Sequence, residues 1–322
     1  MSFNVLTLSE RIPDEAAAYR FLEELRWGDE PVCPHCGVIG NSYFLNAKGE
    51  GRKTRTGKVS QRRVWKCGAC RKQFTVLVGT IFHGTKIPLR TWVFVVFEMC
   101  ASKNGVSARE IQRKYGLSPK SAWFMLHRIR EAMKREPLAG LLSGTVIADE
   151  TWIGGEPRNR HRRVRHAQDN HAQDNKTVVF SLVHRESGEV RSRVIPNVRR
   201  DTLRAAIEAE VDLPNTVLHT DEAKAYTRIG WKAADHKTVT HKMSEYVRDG
   251  ATTNHVEGFF SQLKRSLDGT HHHVSVEHLP RYLAEFDFRY STRHLTDSDR
   301  MARLMGQTPG RRLSYKPLRR EP

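Results

Sequence analysis

The sequence predicts a mixed α/β domain preceded by a four-cysteine ribbon and a helical segment. Three observations predict it. Apolar runs of strand length follow one another at Thr145–Asp149, Thr177–His184 and Arg191–Ile195, before a helical stretch at 201–210 and a further run at Val217–Thr220. Two Cys-x-x-Cys pairs stand upstream, at Cys33/Cys36 and Cys67/Cys70. Between them and the strands, residues 91–134 carry a helical apolar pattern broken by a glycine turn. A chain of 322 residues holds two or three domains. The divisions read as an N-terminal helix (1–30), a cysteine ribbon (31–80), a helix-turn-helix-like segment (81–140), a mixed α/β domain (141–295) and a basic tail (296–322).

Lysine and arginine number 54 against 36 acidic residues, a net charge of +18. Such a field attracts polyanions and speeds their encounter. Ribosomal, chromatin and membrane-surface proteins share this basicity, so charge alone does not single out DNA. No stretch approaches the roughly 20 consecutive apolar residues of a membrane span. The opening Met-Ser-Phe-Asn-Val-Leu-Thr has neither a basic leader nor a long apolar core. A soluble cytoplasmic protein without a membrane partner is expected.

Residues 13–27 read as the first helix. Pro13, Asp14 and Glu15 suit its start, and Phe21, Leu22 and Leu25 form its apolar stripe. Each Cys-x-x-Cys turn offers two thiolates at ligand spacing, so Cys33, Cys36, Cys67 and Cys70 predict a tetrahedral zinc site. Tyr43–Leu45 and Val64–Lys66 read as short strands around a glycine-punctuated basic loop at 48–63. The fifth cysteine, Cys100, lies in the apolar helix Trp92–Ser102 and reads as core. A second helix, Ser107–Tyr115, has Ser107 as N-cap and Glu110 three residues on. After the turn Gly116-Leu117-Ser118, a third spans Pro119–Lys134, with Ala122, Met125, Leu126 and Ile129 inward. Helix, short turn, helix is a DNA-binding arrangement, which offers Lys120, Ser121, Arg128 and Arg130 as exposed DNA contacts. A plain three-helix linker fits the same pattern.

From residue 145 the strands begin, with Ser187-Gly188 as a hairpin turn and His236–Thr240 as a fifth strand. Asn254–Leu267 and 277–290 read as helices. Three strands in a meander, then helix, strand and helix, is the ribonuclease-H ordering. Between the first two strands lie an arginine-rich loop, 157–165, and the tandem repeat His-Ala-Gln-Asp-Asn at 166–170 and 171–175. The arginines suit phosphate as well as they suit a solvated loop. Consecutive histidines 271–273 point in different directions and are given no metal role. The stretch from 309 reads as a basic tail.

Three carboxylates sit where ligands of a catalytic metal would. Asp149 and Asp221 each end an apolar run, and Glu257 opens a helix. Two magnesium ions about 3.5–4 Å apart serve both ends of an in-line displacement at phosphorus, and magnesium prefers oxygen ligands. Each acid also has a plainer reading. Asp149 and Asp221 can end strands in turns, the adjacent Glu150 and Glu222 can be ligands instead, and Asn254-x-x-Glu257 fits a helix capping box. Asn254 and Glu257 share a helix face, so either can be the third ligand. The spacing of Lys264, seven residues after Glu257 on that same face, favours Glu257.

The blocks around these acids carry a resemblance. They are Ala148-Asp-Glu-Thr-Trp-Ile-Gly-Gly155, His219-Thr-Asp-Glu-Ala-Lys-Ala-Tyr226 and Thr253-Asn-His-Val-Glu-Gly-Phe-Phe-Ser-Gln-Leu-Lys-Arg265. His278–Leu283, Glu285–Tyr290 and the upstream Cys67–Phe74 and Val78–Phe82 extend it over about residues 15–295. Together they resemble the bacterial insertion-sequence transposases of the DDE class, in the ISXO-like group with an N-terminal zinc ribbon. The resemblance implies that Asp149, Asp221 and Glu257 hold Mg2+ or Mn2+. It implies that Lys264 contacts transposon-end DNA, that Asn254 and Arg265 assist, and that structural zinc sits in the ribbon. It further implies binding of terminal inverted repeats by the ribbon and helical segment, hydrolysis at the transposon 3′ ends, joining to target DNA, a homo-oligomer, and a bacterial, nucleoid-associated setting. The alternatives are a zinc-dependent DNA-binding regulator without catalysis and a metal-dependent nuclease that cuts without joining.

Overall fold

The computed structural model describes residues 3–45, 53, 57, 59, 62–135, 140–154, 176–239, 247–248 and 251–314. The arginine-rich loop 157–165, the tandem repeat, most of the 48–63 loop and residues 315–322 lie outside them. The chain forms two compact units, Met1–Met133 with Leu295–Pro322, and Lys134–His294.

In the first unit, α1 (Val5–Arg11) precedes α2 (Glu15–Trp27). Asp14 caps α2 by accepting from the Ala17 N–H at 2.7 Å. Glu15 reaches further. Its two oxygens accept from the N–H groups of Leu89 (2.6 Å) and Arg90 (2.9 Å), at the start of α3 (Leu89–Ala101). That helix has Pro88 as N-cap, which offers no side-chain acceptor, so a carboxylate from α2 takes two of its unpaired donors.

The ribbon is a three-stranded antiparallel sheet of β1 (Ser42–Phe44), β2 (Trp65–Cys67) and β3 (Gln73–Phe74). Pairing aligns Phe44, Trp65 and Phe74 in one row, and Trp27 of α2 meets Trp65 and Phe74 edge-on. Buried Glu23 accepts from Trp65 Nε1 (2.8 Å) and Arg63 Nε (2.7 Å), tying α2 to the ribbon.

Next come α4 (Ala108–Tyr115) and α5 (Pro119–Met133). Ser107 caps α4 by accepting from the Glu110 N–H, and Gly116 ends it in the left-handed region at φ 62°. Ala122, Met125, Leu126 and Ile129 are buried, as their spacing predicts, and Lys120 is exposed. Two expected surface residues are not on the surface. Arg128 is 5% exposed and Arg130 1% exposed. The guanidinium of Arg128 lies over the Trp92 and Phe124 rings and donates to the His83 carbonyl at 2.7 Å. Helix α5 is enclosed on more sides than its polar residues suggest, and Arg128 serves the interior.

The expected 296–322 tail is also partly core. Residues Asp297–Gly306 form a helix capped by Thr296, with Met301, Leu304 and Met305 buried. Arg300 donates to the Cys100 carbonyl in the last turn of α3, and the Gly310 N–H donates to the Gly79 carbonyl at 2.8 Å. The apolar spacing Met301-x-x-Leu304-Met305 was the available signal for this helix, and the surrounding arginines masked it.

The second unit is built on a five-stranded sheet. Its strands are β4 (Leu142–Ile153), β5 (Thr177–His184), β6 (Val190–Ile195), β7 (Val211–Asp221) and β8 (Asp235–Val239), in the order β6-β5-β4-β7-β8. The first three form an antiparallel meander, while β7 runs parallel to both β4 and β8. This is a ribonuclease-H-like mixed sheet. On one face Val146, Ala148, Phe180 and Leu218 pack with Leu203 and Ile207 of the helix Arg200–Glu208. On the other, Ile147, Val179 and Val183 pack with Val256, Phe259 and Leu263 of Asn254–Ser266, and with Tyr282 and Phe286 of Leu279–Ser291.

Replacing Arg128 by alanine removes two ring contacts and leaves the His83 carbonyl without that donor. It is expected to lower the unfolding free energy by roughly 2–3 kcal/mol. Urea denaturation checks this. Unchanged stability with weakened DNA binding would return Arg128 to the surface.

Candidate active site and zinc centre

Strand register brings the first two acids together. The parallel β4–β7 ladder pairs Ile147 with His219. Two residues further along each strand stand Asp149 and Asp221, and a period of two keeps each on the same face as its predecessor. Ile147 belongs to the cluster that contains Val256, the neighbour of Glu257. Asp149, Asp221 and Glu257 therefore converge on the side of the sheet covered by Asn254–Ser266.

Each carboxylate has a local anchor. Asp149 Oδ1 accepts from the Glu150 N–H at 2.8 Å, and Asp221 Oδ1 from the Ala223 N–H at 3.0 Å. Glu257 accepts from the Thr253 hydroxyl at 2.6 Å. The capping-box alternative for Glu257 gives way here, because the N-cap is Thr253 and Asn254 is already the first helical residue. Asn254 is exposed and Glu257 half-buried.

Glu150 points the other way, as alternation along β4 requires. It accepts from the hydroxyl of Tyr226, which is fully buried among the residues of the opposite face. Burial raises the Glu150 carboxyl above its usual value against the pull of that bond. Glu222 is exposed beside Asp221. Tyr226 is the residue that the reading of the acids missed; five positions past Asp221, it gave no chemical signal of its own.

Charge confirms the convergence. Burial first pushes the Asp149 carboxyl up to about 7; the Glu150 N–H opposes it, and the charges of Glu150, Asp221 and Glu257 add to it. The donors are all carboxylate oxygens, which suits magnesium or manganese. Among the described residues, the only group of three or more metal-ligating side chains with ligand atoms all within 4.8 Å is the four cysteines. Lys264 and Arg265 are exposed further along the Glu257 helix.

The four thiols form a tighter group. Cys33 and Cys70 sulfurs are 3.7 Å apart, and those of Cys36 and Cys67 are 3.6 Å apart. Tetrahedral coordination with Zn–S bonds of about 2.3 Å requires sulfurs about 3.8 Å from each other. The cluster is thus already shaped to bind zinc. Its core is Phe74 with Trp27 and Trp65 packed on it.

Two outcomes follow. Native protein should carry one zinc per chain, and Cys67→Ser should lose it together with the near-ultraviolet signal of the ribbon tryptophans; metal analysis and circular dichroism check this. The second concerns pH. Asp149 has a folded-state value of about 7 against an ordinary 3.8. A raised carboxyl contributes stability that is complete below the ordinary value and is lost as pH rises through the folded one. Melting temperature in chelator should therefore fall between pH 5 and pH 8, and Asp149→Asn should flatten that fall. An equally steep fall in the variant would assign it to other groups.

Known protein families resemble this chain in two regions. Residues 141–291 match the ISXO2-like transposase domain, and residues 13–73 match the transposase zinc-ribbon domain. An uncharacterized protein in transposable element ISH50 of Halobacterium salinarum is 26% identical over 293 residues, covering 85% of this chain and 90% of the relative. That relative is archaeal, so the resemblance is not confined to bacteria. Among solved structures, one from the simian T-cell lymphotropic virus intasome with PP2A regulatory subunit B56 gamma aligns at 14% identity and a TM-score of 0.28. It covers 56% of this chain and 63% of that one, too loose a match to bear on the fold. No described helix is long and apolar enough to cross a membrane. The chain carries a transposase zinc ribbon at residues 13–73 and an ISXO2-like transposase domain at residues 141–291.

Proposed function

We propose that this protein is a DDE-type transposase: it binds the terminal inverted repeats of an insertion sequence, hydrolyses the phosphodiester at each 3′ end and joins that end to target DNA. The observation that carries the reading is the convergence of Asp149, Asp221 and Glu257 on one face of the sheet, with their charges felt at Asp149. When bound, a pair of Mg2+ or Mn2+ ions would activate the attacking oxygen and stabilise the leaving one. Asp149, from within β4, and Asp221, at the end of β7, would hold such ions, and Glu257 would complete the set from the helix. Asn254 is an auxiliary residue on the same helix. Lys264 and Arg265 grip phosphates of the transposon end, and Lys120 does so from the helical segment. Arg128 is left out, because its guanidinium is enclosed. Structural zinc holds the ribbon in shape for DNA binding. Joining two ends requires that they be held together, so the active form is a homo-oligomer.

Strand transfer on a labelled transposon-end duplex with magnesium tests the reading. Asp149→Ala, Asp221→Ala and Glu257→Ala should each keep duplex binding and lose both cutting and joining. A wild-type protein that binds ends but neither cuts nor joins with any divalent ion would be a DNA-binding regulator; one that cuts without joining would be a nuclease. Lys264→Ala and Arg265→Ala should each lower the slope of log affinity against log salt by roughly 0.9, the contribution of one phosphate contact. Unchanged slopes would remove both residues from the DNA interface.

A further inference from the structure

Among the described residues, no strand completes the sheet edge formed by β6. An outermost strand presents unpaired N–H groups. Two of them here are taken by side chains of the helix Leu279–Ser291. The Val190 N–H donates to Ser291 Oγ at 2.9 Å, and the Ser192 N–H donates to Asp287 Oδ2 at 2.8 Å. Asp287 and Ser291 are one helical turn apart, and residues 190 and 192 one pleat repeat apart, so the helix and strand spacings match.

Asp287 does more than close the edge. The Ser192 hydroxyl donates to its Oδ1 at 2.6 Å and lies 2.8 Å from the Ser181 hydroxyl. A serine hydroxyl has one hydrogen to give. That of Ser192 goes to Asp287, so Ser181 donates to Ser192, and the bonds run one way from β5 to the helix. Ser181 is fully buried and is the direct cross-strand partner of Asp149. Directly opposed residues share a face, with Cβ atoms about 4.5–5.5 Å apart. The chain of hydroxyls therefore begins beside Asp149 and ends at Asp287. Burial pushes the Asp287 carboxyl up to about 7, opposed by its two bonds from Ser192. Serine closes the same edge at position 291 without a buried charge, so a carboxylate is not needed for edge closure alone.

We propose that Asp287 is a positioning residue for the acidic site: through Ser192 and Ser181 it fixes β5, the strand that pairs with β4, and so sets where Asp149 presents its carboxylate. The inference rests on the reading of Asp149 as a ligand of a divalent ion.

The test uses full-length, zinc-loaded protein at pH 8, above the value of about 7 to which burial raises Asp287. Mn2+ affinity is measured by the paramagnetic resonance of free Mn2+, alongside the Mg2+ concentration for half-maximal cleavage, duplex binding and melting temperature. Asp287→Asn keeps the size of the side chain but replaces one acceptor oxygen with a donor. It should weaken Mn2+ binding and raise the Mg2+ requirement about tenfold, as removal of the group that orients a ligand does. Duplex binding should not change. Ser181→Ala, a small change away from the helix, should give the same loss, and the double variant should be no worse than either single one, because both cut one chain. Asp149→Ala is the control. Mn2+ binding that survives it overturns the ligand reading itself. Binding lost in Asp149→Ala but unchanged in Asp287→Asn and Ser181→Ala overturns the positioning role alone, as do losses that multiply in the double variant.

Discussion

The parallel pairing of β4 with β7 is the constraint on which the rest of the five-stranded unit depends. It joins segments some seventy residues apart and sets Ile147 beside His219. Because side chains alternate, that one register decides which acids meet: Asp149 and Asp221 turn to the side of the Glu257 helix, and Glu150 turns to the side of Tyr226. A slip by one residue would send Asp149 toward Tyr226 and leave Glu150 facing Glu257. Strong apolar burial on both faces of the sheet makes such a slip costly, since Val146 and Ala148 serve one core and Ile147 the other.

The acids are held together against their own repulsion. Asp149 bears the largest effect, through burial and three neighbouring carboxylates. Gathering buried like charges in this way costs the fold stability. The surroundings offer backbone N–H groups and the Thr253 hydroxyl as anchors. These neutral donors orient the carboxylates without neutralising them, so the charge stays available.

In the other unit, charged side chains serve the interior as well as the surface. Glu15 caps a helix distant in sequence, Glu23 bridges α2 to the ribbon, and Arg128 stacks between aromatic rings. The net charge of +18 is therefore not all presented to a polyanion. Lys120 remains exposed on the helical segment.

The sequence by itself determined many of the elements and the thiolate cluster. Two Cys-x-x-Cys turns specify a thiolate cluster because ligand spacing is local, and the strand runs and the inward residues of α5 follow from periodicity, which is also local. Asp221 ends β7 as its apolar run predicts, whereas β4 continues past Asp149 to Ile153, because Glu150–Ile153 pair with β5. Only the tertiary structure decided which carboxylate faces the site and which faces away. Glu150 and Asp149 are adjacent in the chain, and their division depends on cross-strand register. It likewise decided that Arg128 is enclosed, that Met301, Leu304 and Met305 turn a basic stretch into core, and that Asp287 closes the β6 edge behind Ser181. Burial and hydrogen-bond partners come from residues distant in sequence, and no local pattern encodes them.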